Sequence, residues 1–377
     1  MRHSAIGMLA VLVACREHPP ALFEPTVLAD RQEVGALATT WKVTLLTNVG
    51  GWERARSWAI NDSNIVVGSA RPAANASQTI AWRWRNGVFS TLAIPNATKG
   101  ATARGINRSG DIVGWLGGGN CFSDRVPQCA DTAFHRATNG VVTRLPKLQP
   151  GTGTAAYDIN DKGQVVGFEI VYPPVAPKSP QPLRWSRATP NGPWLAALGS
   201  IYADHLVASN NSGTAAGAYG DWPFAGVTAM THSLVGQRTI LWPTAAPSCA
   251  SDINNGGLVV GMKKQFFLPN PHTDNHIVYG VAGNMMYTLE KGDAFDCFEG
   301  PRISDKNRIV GTAIGGKPFT LRNGIRHYLP LPFGATSGTA HAVNSCGVIA
   351  GSARFTTINK DFPVIWRQYS GPALTCD

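Results

Sequence analysis

A short phrase of alternating apolar and polar positions recurs seven times along the chain. Residues 158–167 read Asp-Ile-Asn-Asp-Lys-Gly-Gln-Val-Val-Gly, which is an apolar rise, a polar turn and a second apolar run that ends on glycine. The central polar residue of the phrase, called the anchor below, recurs at intervals of 40 to 53 residues. The seven anchors are Asn61, Asn107, Asn160, Asn210, Asn254, Ser304 and Asn344. A phrase repeated at this period predicts a fold assembled from seven similar units.

The turn inside each phrase has the chemistry of a β-hairpin. The third residue after the anchor is always glycine or asparagine, the two types that most readily adopt positive φ. These residues are Asn64, Gly110, Gly163, Gly213, Gly257, Asn307 and Gly347. A polar turn of this kind between two apolar runs predicts two antiparallel strands. A glycine also stands seven residues after every anchor, at Gly68, Gly114, Gly167, Gly217, Gly261, Gly311 and Gly351.

Most units continue with a third and a fourth apolar run. In the first unit these runs are 79–85 and 88–94, with Asn86-Gly87 as the turn between them. Four antiparallel strands in 40 to 53 residues make a unit the size of a propeller blade. One blade exposes both faces, so the blades must close into a ring. The sequence therefore predicts an all-β, seven-bladed β-propeller of four-stranded blades; an eight-bladed ring and an open β-solenoid are the alternatives.

Two features of the ring are less regular in the sequence. The fourth unit ends at Leu241-Trp242-Pro243 and leaves almost no room for a fourth strand. Two segments compete to complete the last blade, 41–46 and 372–377, and the sequence does not decide between them.

The first forty residues have the pattern of an export signal and a tether. A basic start precedes an apolar run, 5–14, that is too short to cross a bilayer and fits a signal-peptide core. The residues Leu12-Val13-Ala14-Cys15 resemble the lipobox of bacterial lipoproteins, in which the cysteine is acylated. We therefore expect a signal peptide at 1–14, a lipid anchor on Cys15 with a tether to residue 40, and the propeller at 41–377. Because the residue after Cys15 is not aspartate, the resemblance favours the outer membrane; the alternative is secretion.

The cysteines and the charge agree with an exported protein. Six cysteines remain after Cys15, an even number that predicts disulfides. Fifteen pairings are possible, and we expect Cys121 with Cys129 and Cys249 with Cys297; Cys346 with Cys376 follows only by elimination, and the sequence leaves that pair open. The net charge of +10 favours contact with anionic envelope components, and the alternative is that it serves solubility alone. The export signal and the lack of a dense basic run argue against nucleic-acid binding. We expect the lipid anchor to be the protein's only contact with the membrane.

The repeated phrase resembles the HAF-repeat family of bacterial extracellular proteins. The similarity rests on Ala-x-x-Ile-Asn, a tight turn, Val-Val-Gly and an aromatic run ending in Asn-Gly, and it covers most of 50–375. The matching aromatic positions are Phe134, Trp82, Trp84, Trp185, Trp242 and Trp366. The resemblance implies export and a repeat-built β fold, with no defined activity.

Antiparallel blades place the tight turns at one end of the ring, the turn end, and the remaining loops at the other, the loop end. The length variation falls on the loop end, in segments 115–132, 168–182, 218–238 and 262–276, and variable loops on a rigid scaffold are typical binding sites. Their aromatic and basic residues suit sugars, anionic polymers or a protein surface. The alternative is that the aromatic residues cover the hydrophobic ends of the blades. The candidate ligand-binding residues are Trp115, Arg125, Tyr172, Trp222, Phe224, Lys263, Lys264, Phe266 and Phe267.

Signals for catalysis and for metals are weak. Asp293, Asp296 and Glu299 cluster near Cys297 and are the candidate acids for glycosidic chemistry. His272 and His276 have a spacing that could hold zinc on a helix, but neighbouring prolines predict a loop. We expect no metal and no cofactor. The predicted function is a non-enzymatic, monomeric, envelope-anchored binding protein for a protein or glycan; the alternatives are a polysaccharide hydrolase or lyase and a structural envelope component.

Overall fold

The computed structural model describes residues 40–46, 52–72, 78–117, 130–171, 179–187, 189, 192–198, 204–220, 227–234, 237–242, 247–267, 272–281, 287–292 and 298–369. These residues form 28 β-strands, and their only helix is a single 3-10 turn, Thr356–Ile358. None of the helical structure in these ranges has the length or hydropathy to cross a bilayer. The prediction of an all-β chain is confirmed.

The strands form seven blades, each of which runs along the sequence from its innermost to its outermost strand. The first strand of the chain is β1 (Thr40–Leu45). Blades 1 to 3 contain β2 (Trp52–Ile60), β3 (Val66–Pro72), β4 (Ile80–Arg85), β5 (Val88–Thr91); β6 (Ala101–Ile106), β7 (Ile112–Gly117), β8 (Ala130–Arg136), β9 (Val142–Arg144); and β10 (Gly153–Ile159), β11 (Val165–Val171), β12 (Ser179–Arg187), β13 (Trp194–Leu198).

The later blades follow the same order. Blades 4 to 6 contain β14 (Asp204–Ser209), β15 (Ala215–Tyr219), β16 (Thr228–His232), β17 (Arg238–Ile240); β18 (Ser248–Ile253), β19 (Val259–Phe267), β20 (His272–Gly280), β21 (Tyr287–Lys291); and β22 (Arg302–Ile303), β23 (Ile309–Ala313), β24 (Lys317–Arg322), β25 (Ile325–Tyr328). Blade 7 contains β26 (Ser337–Val343), β27 (Ile349–Phe355), β28 (Lys360–Tyr369) and β1.

The ring closes through the N-terminal strand. β1 pairs antiparallel with β28, with Thr40 opposite Tyr369 and Leu45 opposite Val364, so it is the fourth strand of blade 7. Each innermost strand contacts the next one around the ring, and β26 contacts β2. The seven-bladed ring and the role of segment 41–46 are therefore confirmed, whereas segment 372–377 lies outside the described residues.

Two expectations about strand lengths are wrong. Blade 4 does have a fourth strand, because β17 pairs with β16 from Met230 opposite Ile240 to His232 opposite Arg238. The supposed loop 262–276 is mostly a pair of long strands, since β19 and β20 remain in register out to Phe267 opposite His272. His272 and His276 thus lie on one strand and not in a loop. Segments 115–132 and 168–182 are likewise shortened by β7, β8, β11 and β12.

The core lies between neighbouring blades. Five third strands contribute a fully buried aromatic residue, namely Trp82, Phe134, Trp185, Phe319 and Trp366. In one cluster, Ile65 and Val67 of blade 1 pack with Ala101 and Ile112 of blade 2. Each blade therefore buries its apolar faces only because its two neighbours cover them.

The predicted left-handed turns are present in all seven blades. The third residue after each anchor has φ between 57° and 90°. Asparagine fills this position in blades 1 and 6 with φ of 57° and 58°, and glycine fills it in the other five. The prediction of a hairpin at every repeat is confirmed.

A β-bulge, which the sequence analysis missed, explains the glycine seven residues after the anchor. In six innermost strands the pairing register shifts across the third residue before the anchor, for example between Ser57 and Ala59. A Cβ atom on Gly68 would lie 2.0 Å from the carbonyl oxygen of Arg56. Blade 6, whose innermost strand is only two residues long, lacks this backbone contact, and a Cβ on Gly311 would meet only side chains, the nearest being Phe319 at 3.1 Å.

Each anchor asparagine stabilises its own hairpin. Its Oδ1 accepts a hydrogen bond from the backbone N–H four residues later, at 2.9–3.0 Å in six blades. Ser304 does the same in blade 6, where its Oγ accepts from the Arg308 N–H at 3.2 Å. All seven anchors are buried, so these bonds form in a site where an unpaired polar group would be costly.

The same asparagines also join the blades into a belt. The Nδ2 of each donates to the carbonyl oxygen of the next anchor, at 2.8–3.4 Å. The closing bond runs from Asn344 in blade 7 to Asn61 in blade 1 at 3.0 Å. A second, outer belt joins the residues after the anchors, as where the Asp161 N–H donates to Asn211 Oδ1 at 2.9 Å. The anchor is therefore asparagine because one amide can serve two blades.

Both belts are interrupted between blades 6 and 7, and the outer belt also lacks an acceptor side chain at Arg108, between blades 1 and 2. Ser304 has no amide to donate to blade 7, and Ser345 has no carboxylate or amide to accept from Asp305. Arg308 bridges this junction instead: its Nη2 donates to Gln368 Oε1 at 3.3 Å, and its guanidinium lies 5.4 Å from the centre of the Trp41 ring. The Arg308 guanidinium thus takes the place of the missing anchor amide at the junction between blades 6 and 7.

Replacement of Asn344 by alanine tests the belt. The change removes three side-chain hydrogen bonds and leaves the Asn61 carbonyl, the Asn64 amide oxygen and the Val348 N–H without these partners. We expect the free energy of unfolding to fall by about 2 kcal/mol in urea titrations. Asn139→Ala, a control at an exposed turn asparagine, should change it by less than about 0.5 kcal/mol. Equal losses in the two variants would contradict a role for the belt in stability.

Candidate functional site

The axis of the ring is lined by the bulged residues of the innermost strands. The third residue before the anchor differs in chemistry from blade to blade although its neighbours in the phrase are similar. These residues are Trp58, Arg104, Tyr157, Val207, Ser251, Pro301 and His341. All but Pro301 lie on the innermost strands as assigned, and the whole set is buried. The bulge turns a chemically variable side chain toward the axis in an otherwise uniform repeat.

Four of these side chains contact each other around the axis. The guanidinium of Arg104 lies 4.0 Å from the centre of the Trp58 ring and 5.2 Å from that of Tyr157. On its other side, Trp58 contacts the His341 ring edge-on at 4.9 Å. Blades 7, 1, 2 and 3 thus meet through a stack of rings and one cation, an arrangement that favours a rigid wall.

Phe298 completes the packing from blade 6. Its ring lies 5.2 Å from Tyr157 and 5.0 Å from His205, which belong to blades 3 and 4. Its carbonyl oxygen accepts from Arg104 and, at 2.8 Å, from Arg302. Phe298 precedes the two-residue innermost strand of blade 6 and reaches residues of blades 2, 3 and 4. The axis at this level is a packed plug.

Two buried carboxylates join adjacent blades beside the plug. Asp158 Oδ2 accepts from the Ser209 N–H of blade 4, and Asp252 Oδ2 accepts from the Ile303 N–H of blade 6, both at 2.8 Å. Burial raises the pKa of Asp158, and it raises the pKa of Asp252 to about 7 against the opposing attraction of Arg302. The Asp158 carboxylate is thus already occupied by backbone N–H groups.

Two histidines near the axis are neutral at physiological pH. Burial lowers the pKa of His205 to about 4. Burial also lowers the pKa of His341 well below its usual value, and the charges of Arg56, Arg104 and Arg302 add to the effect. Neither histidine can therefore add positive charge to the axis near neutral pH.

The loop end of the axis carries an ion-pair network across its mouth. Arg56 of blade 1 and Glu299 of blade 6 form a salt bridge of 2.9 Å, although blade 7 lies between them in the ring. Asp361 accepts from Arg354 at 2.9 Å and lies 3.8 Å from Arg56. Glu299, one of the three candidate acids, is therefore held by a guanidinium. Asp293 and Asp296 lie outside the described residues.

Trp115, a candidate ligand-binding residue, is not in a loop. It lies in β7, is only 8% exposed and stacks on Tyr157 with ring centres 5.2 Å apart. The boundary placed at residue 115 was wrong because β7 continues to Gly117. Its indole forms part of the packed cluster beside the axis.

The two candidate lysines lie on the long β19–β20 pair. Lys263 and Lys264 are half-buried and are paired with His276 and Asn275. Phe266 and Phe267 extend the same strand toward the loop end. Arg125, Tyr172, Trp222, Phe224 and Cys15 lie outside the described residues. The structure therefore brings four candidates together on blade 5 and leaves their ligand-binding role a prediction.

The described ranges contain no group of three or more His, Cys, Asp or Glu side chains that could hold a metal ion. The axial residues could have been found in the sequence by comparing the seven phrases position by position. The third position before the anchor stands out because it alone holds tryptophan, arginine, tyrosine and histidine in different copies.

Asp252 predicts a pH dependence of stability. Its pKa of about 7 in the folded state exceeds the ordinary value of 3.8, so the folded chain binds one more proton than the unfolded chain between about pH 4 and pH 7. The stabilisation that this group contributes is fully present below about pH 4 and is lost as the pH rises towards about 7. The free energy of unfolding falls by at most about 1.4 kcal/mol per pH unit in this range.

Urea unfolding at about pH 5 and pH 8 checks this. As the pH rises, the free energy of unfolding of Asp252→Asn should increase relative to that of the wild type. For Asp131→Asn, which changes an exposed residue, the pH dependence of the free energy of unfolding should match that of the wild type. Parallel pH profiles for Asp252→Asn and the wild type would contradict the assignment.

Comparisons with known proteins agree with the geometry. No protein-family model matches the sequence, and no curated protein does. Among solved structures, a catalytically inactive virginiamycin B lyase from Staphylococcus aureus with quinupristin has a TM-score of 0.54 and 10% identity, over 88% of this chain and 100% of that chain.

A second solved structure, the β-propeller domain of the Trilobed protease from Pyrococcus furiosus, which has an open velcro topology, gives a TM-score of 0.50 and 8% identity. The match covers 87% of this chain and 98% of that domain. At these identities the likeness concerns the fold alone. The chain is a seven-bladed β-propeller.

Proposed function

We propose that this β-propeller is a non-enzymatic binding protein that holds a protein or glycan ligand at the loop end of blades 2 to 5. The observation that carries the proposal is the difference between the two ends of the ring. At the turn end, belt hydrogen bonds join six of the seven anchor turns to the next one, and Arg308 bridges the remaining junction. At the loop end, strand and loop lengths differ between blades.

The turn end offers a uniform surface. Each anchor turn is short and is closed by the same hydrogen bonds, and the outer belt occupies Asp161, Asn211, Asn255 and Asp305 with bonds between blades. Groups that are already paired within the protein must break those bonds before they can contact a ligand. The turn end is therefore a poor candidate for recognition.

The loop end offers a surface that varies from blade to blade. The nine-residue strands β19 and β20 are held in register by cross-strand pairing, so Lys263 and Lys264 are carried on a regular, hydrogen-bonded element. Rigid presentation lowers the entropy lost on binding. Long segments of blades 2 to 4 share this end.

The acids that the structure describes near the axis favour binding over hydrolysis. Glycosidases of the common type need two carboxyl groups that are free to act as acid and as base or nucleophile. Glu299 is ion-paired with Arg56, and Asp158 and Asp252 accept backbone hydrogen bonds in a packed axis. A lyase with a similar fold does not alter this, because one fold serves many chemistries.

We also propose that the protein works at the cell envelope, tethered through an acylated Cys15 and cross-linked by disulfides. The support is the sequence pattern of the first forty residues and the even number of remaining cysteines. Intact mass before and after reduction decides both points, because acylation adds the mass of lipid and each disulfide lowers the mass by two hydrogens.

Variants at the loop end of blades 4 and 5 test the ligand site. Lys263→Ala with Lys264→Ala, and separately Trp222→Ala with Phe266→Ala, should weaken binding to glycan- or peptide-array hits by roughly tenfold. The matched control is Lys162→Ala with Lys306→Ala, two exposed lysines at the turn end. Affinity should be unchanged in the control. Equal losses in all variants, or no hit for the wild type on either array, would contradict the proposal.

A further inference from the structure

Three large apolar side chains project from the loop end of blades 6 and 7. Ile314 is 53% exposed, Ile358 is 54% exposed and Phe333 is 103% exposed. Ile314 lies in the turn between β23 and β24, Phe333 in the connection from β25 to β26, and Ile358 in the 3-10 turn between β27 and β28. Together these three segments are called the blade 6–7 tip.

The three segments are neighbours. The Gly338 N–H donates to the Gly316 carbonyl at 2.8 Å, which joins the Ile314 turn to the start of β26. The Thr336 N–H donates to the Arg354 carbonyl at 2.8 Å, which joins the Phe333 connection to the end of β27. The 3-10 turn of Ile358 follows directly. The exposed apolar side chains therefore rise from one continuous part of the surface.

Phe333 is presented by a fixed turn. The Ala335 N–H donates to the Pro332 carbonyl at 3.0 Å, and Gly334 has φ of 84°, the positive value that a type II turn requires at its third position. Phe333 occupies the second position, between proline and glycine. Its exposure is thus a consequence of turn geometry, and its ring protrudes with no groove around it.

The segments that form the blade 6–7 tip carry a net positive charge. Segments 309–320, 329–339 and 351–363 contain three basic residues, Lys317, Arg354 and Lys360, and one acid, Asp361. Asp361 is held by Arg354 at 2.9 Å. No ion pair is recorded for Lys317 or Lys360 within the described residues. An anionic partner would therefore meet two cations beside three apolar side chains.

A fluid anionic surface fits this arrangement better than a small molecule or a peptide. Small molecules are usually held in clefts and peptides in grooves, whereas here the apolar groups are convex. Convex apolar residues flanked by lysines can enter the interfacial region of a bilayer while the ammonium groups remain at the headgroups. We propose that the blade 6–7 tip docks on anionic lipid, with Phe333, Ile314 and Ile358 inserted and Lys317 and Lys360 at the phosphates.

This surface is separate from the ligand site proposed above, which lies on blades 2 to 5, and it does not depend on acylation. Other exposed apolar residues, such as Val88 at 66% and Val141 at 58%, lie one to a blade beside the Asn-Gly turns at the opposite end. They are similarly exposed, and so they supply a matched control.

Vesicle co-sedimentation of the full chain carrying Cys15→Ser, which blocks acylation, tests the proposal. Vesicles of phosphatidylglycerol with phosphatidylethanolamine should bind the protein in a salt-dependent way, and phosphatidylcholine vesicles should bind it less. Phe333→Asp should lower the partition coefficient by roughly tenfold or more. Lys317→Glu with Lys360→Glu should lower it by roughly tenfold on anionic vesicles only.

The controls separate docking from unfolding and from the ligand site. Val88→Asp with Val141→Asp should bind vesicles as the wild type does, and the melting temperatures of all variants should agree because the changed residues are exposed. Lys263→Ala with Lys264→Ala should retain vesicle binding even where array binding is lost. Unchanged binding by Phe333→Asp, equal loss in the control pair, or capture of an acidic peptide without vesicle binding would overturn the proposal.

Discussion

The fold depends on a single amide group that is used twice in each of six blades. The anchor asparagine accepts a hydrogen bond within its own hairpin and donates one to the next anchor in the ring. A four-stranded blade cannot bury both faces by itself, so its stability requires neighbours on each side. The belt fixes the spacing of those neighbours, and β1 closes the last blade. The small repeated phrase is therefore the part of the sequence that specifies a closed ring.

The same constraint divides the surface into two kinds. Residues near the anchors must keep their turn conformation and their bonds to the next blade, so this end varies little. The opposite ends of the strands are free of the belt, and the strands there differ in length, as β19 and β20 illustrate. At the axis, the bulge frees one position per blade, and Trp58, Arg104 and Tyr157 fill the space with a packed plug. Variation between blades is thereby concentrated at the axis and at the loop end.

The hairpins, the blade count and the strand pattern could be predicted because they depend on local chemistry repeated seven times. The bulge could not, since a register shift depends on the partner strand and leaves no periodic pattern in a single strand. Trp115 was assigned to a loop because strand ends are set by cross-strand pairing as well as by composition. For the same reason, the sequence does not predict that β19 continues past two lysines to Phe267. The exposure of Phe333 depends on a turn between blades, which no repeat phrase includes.

Hydrogen exchange of the anchor hairpins tests the belt most directly. The relevant amides are those that donate to an anchor Oδ1, in Ile65, Asp111, Gln164, Thr214, Leu258 and Val348. If the belt couples all seven blades, these amides exchange only through global unfolding and share one opening free energy, although they lie next to turns. Exchange as fast as that of the Val141 amide, which donates to Asn139 in an exposed turn, would contradict the account.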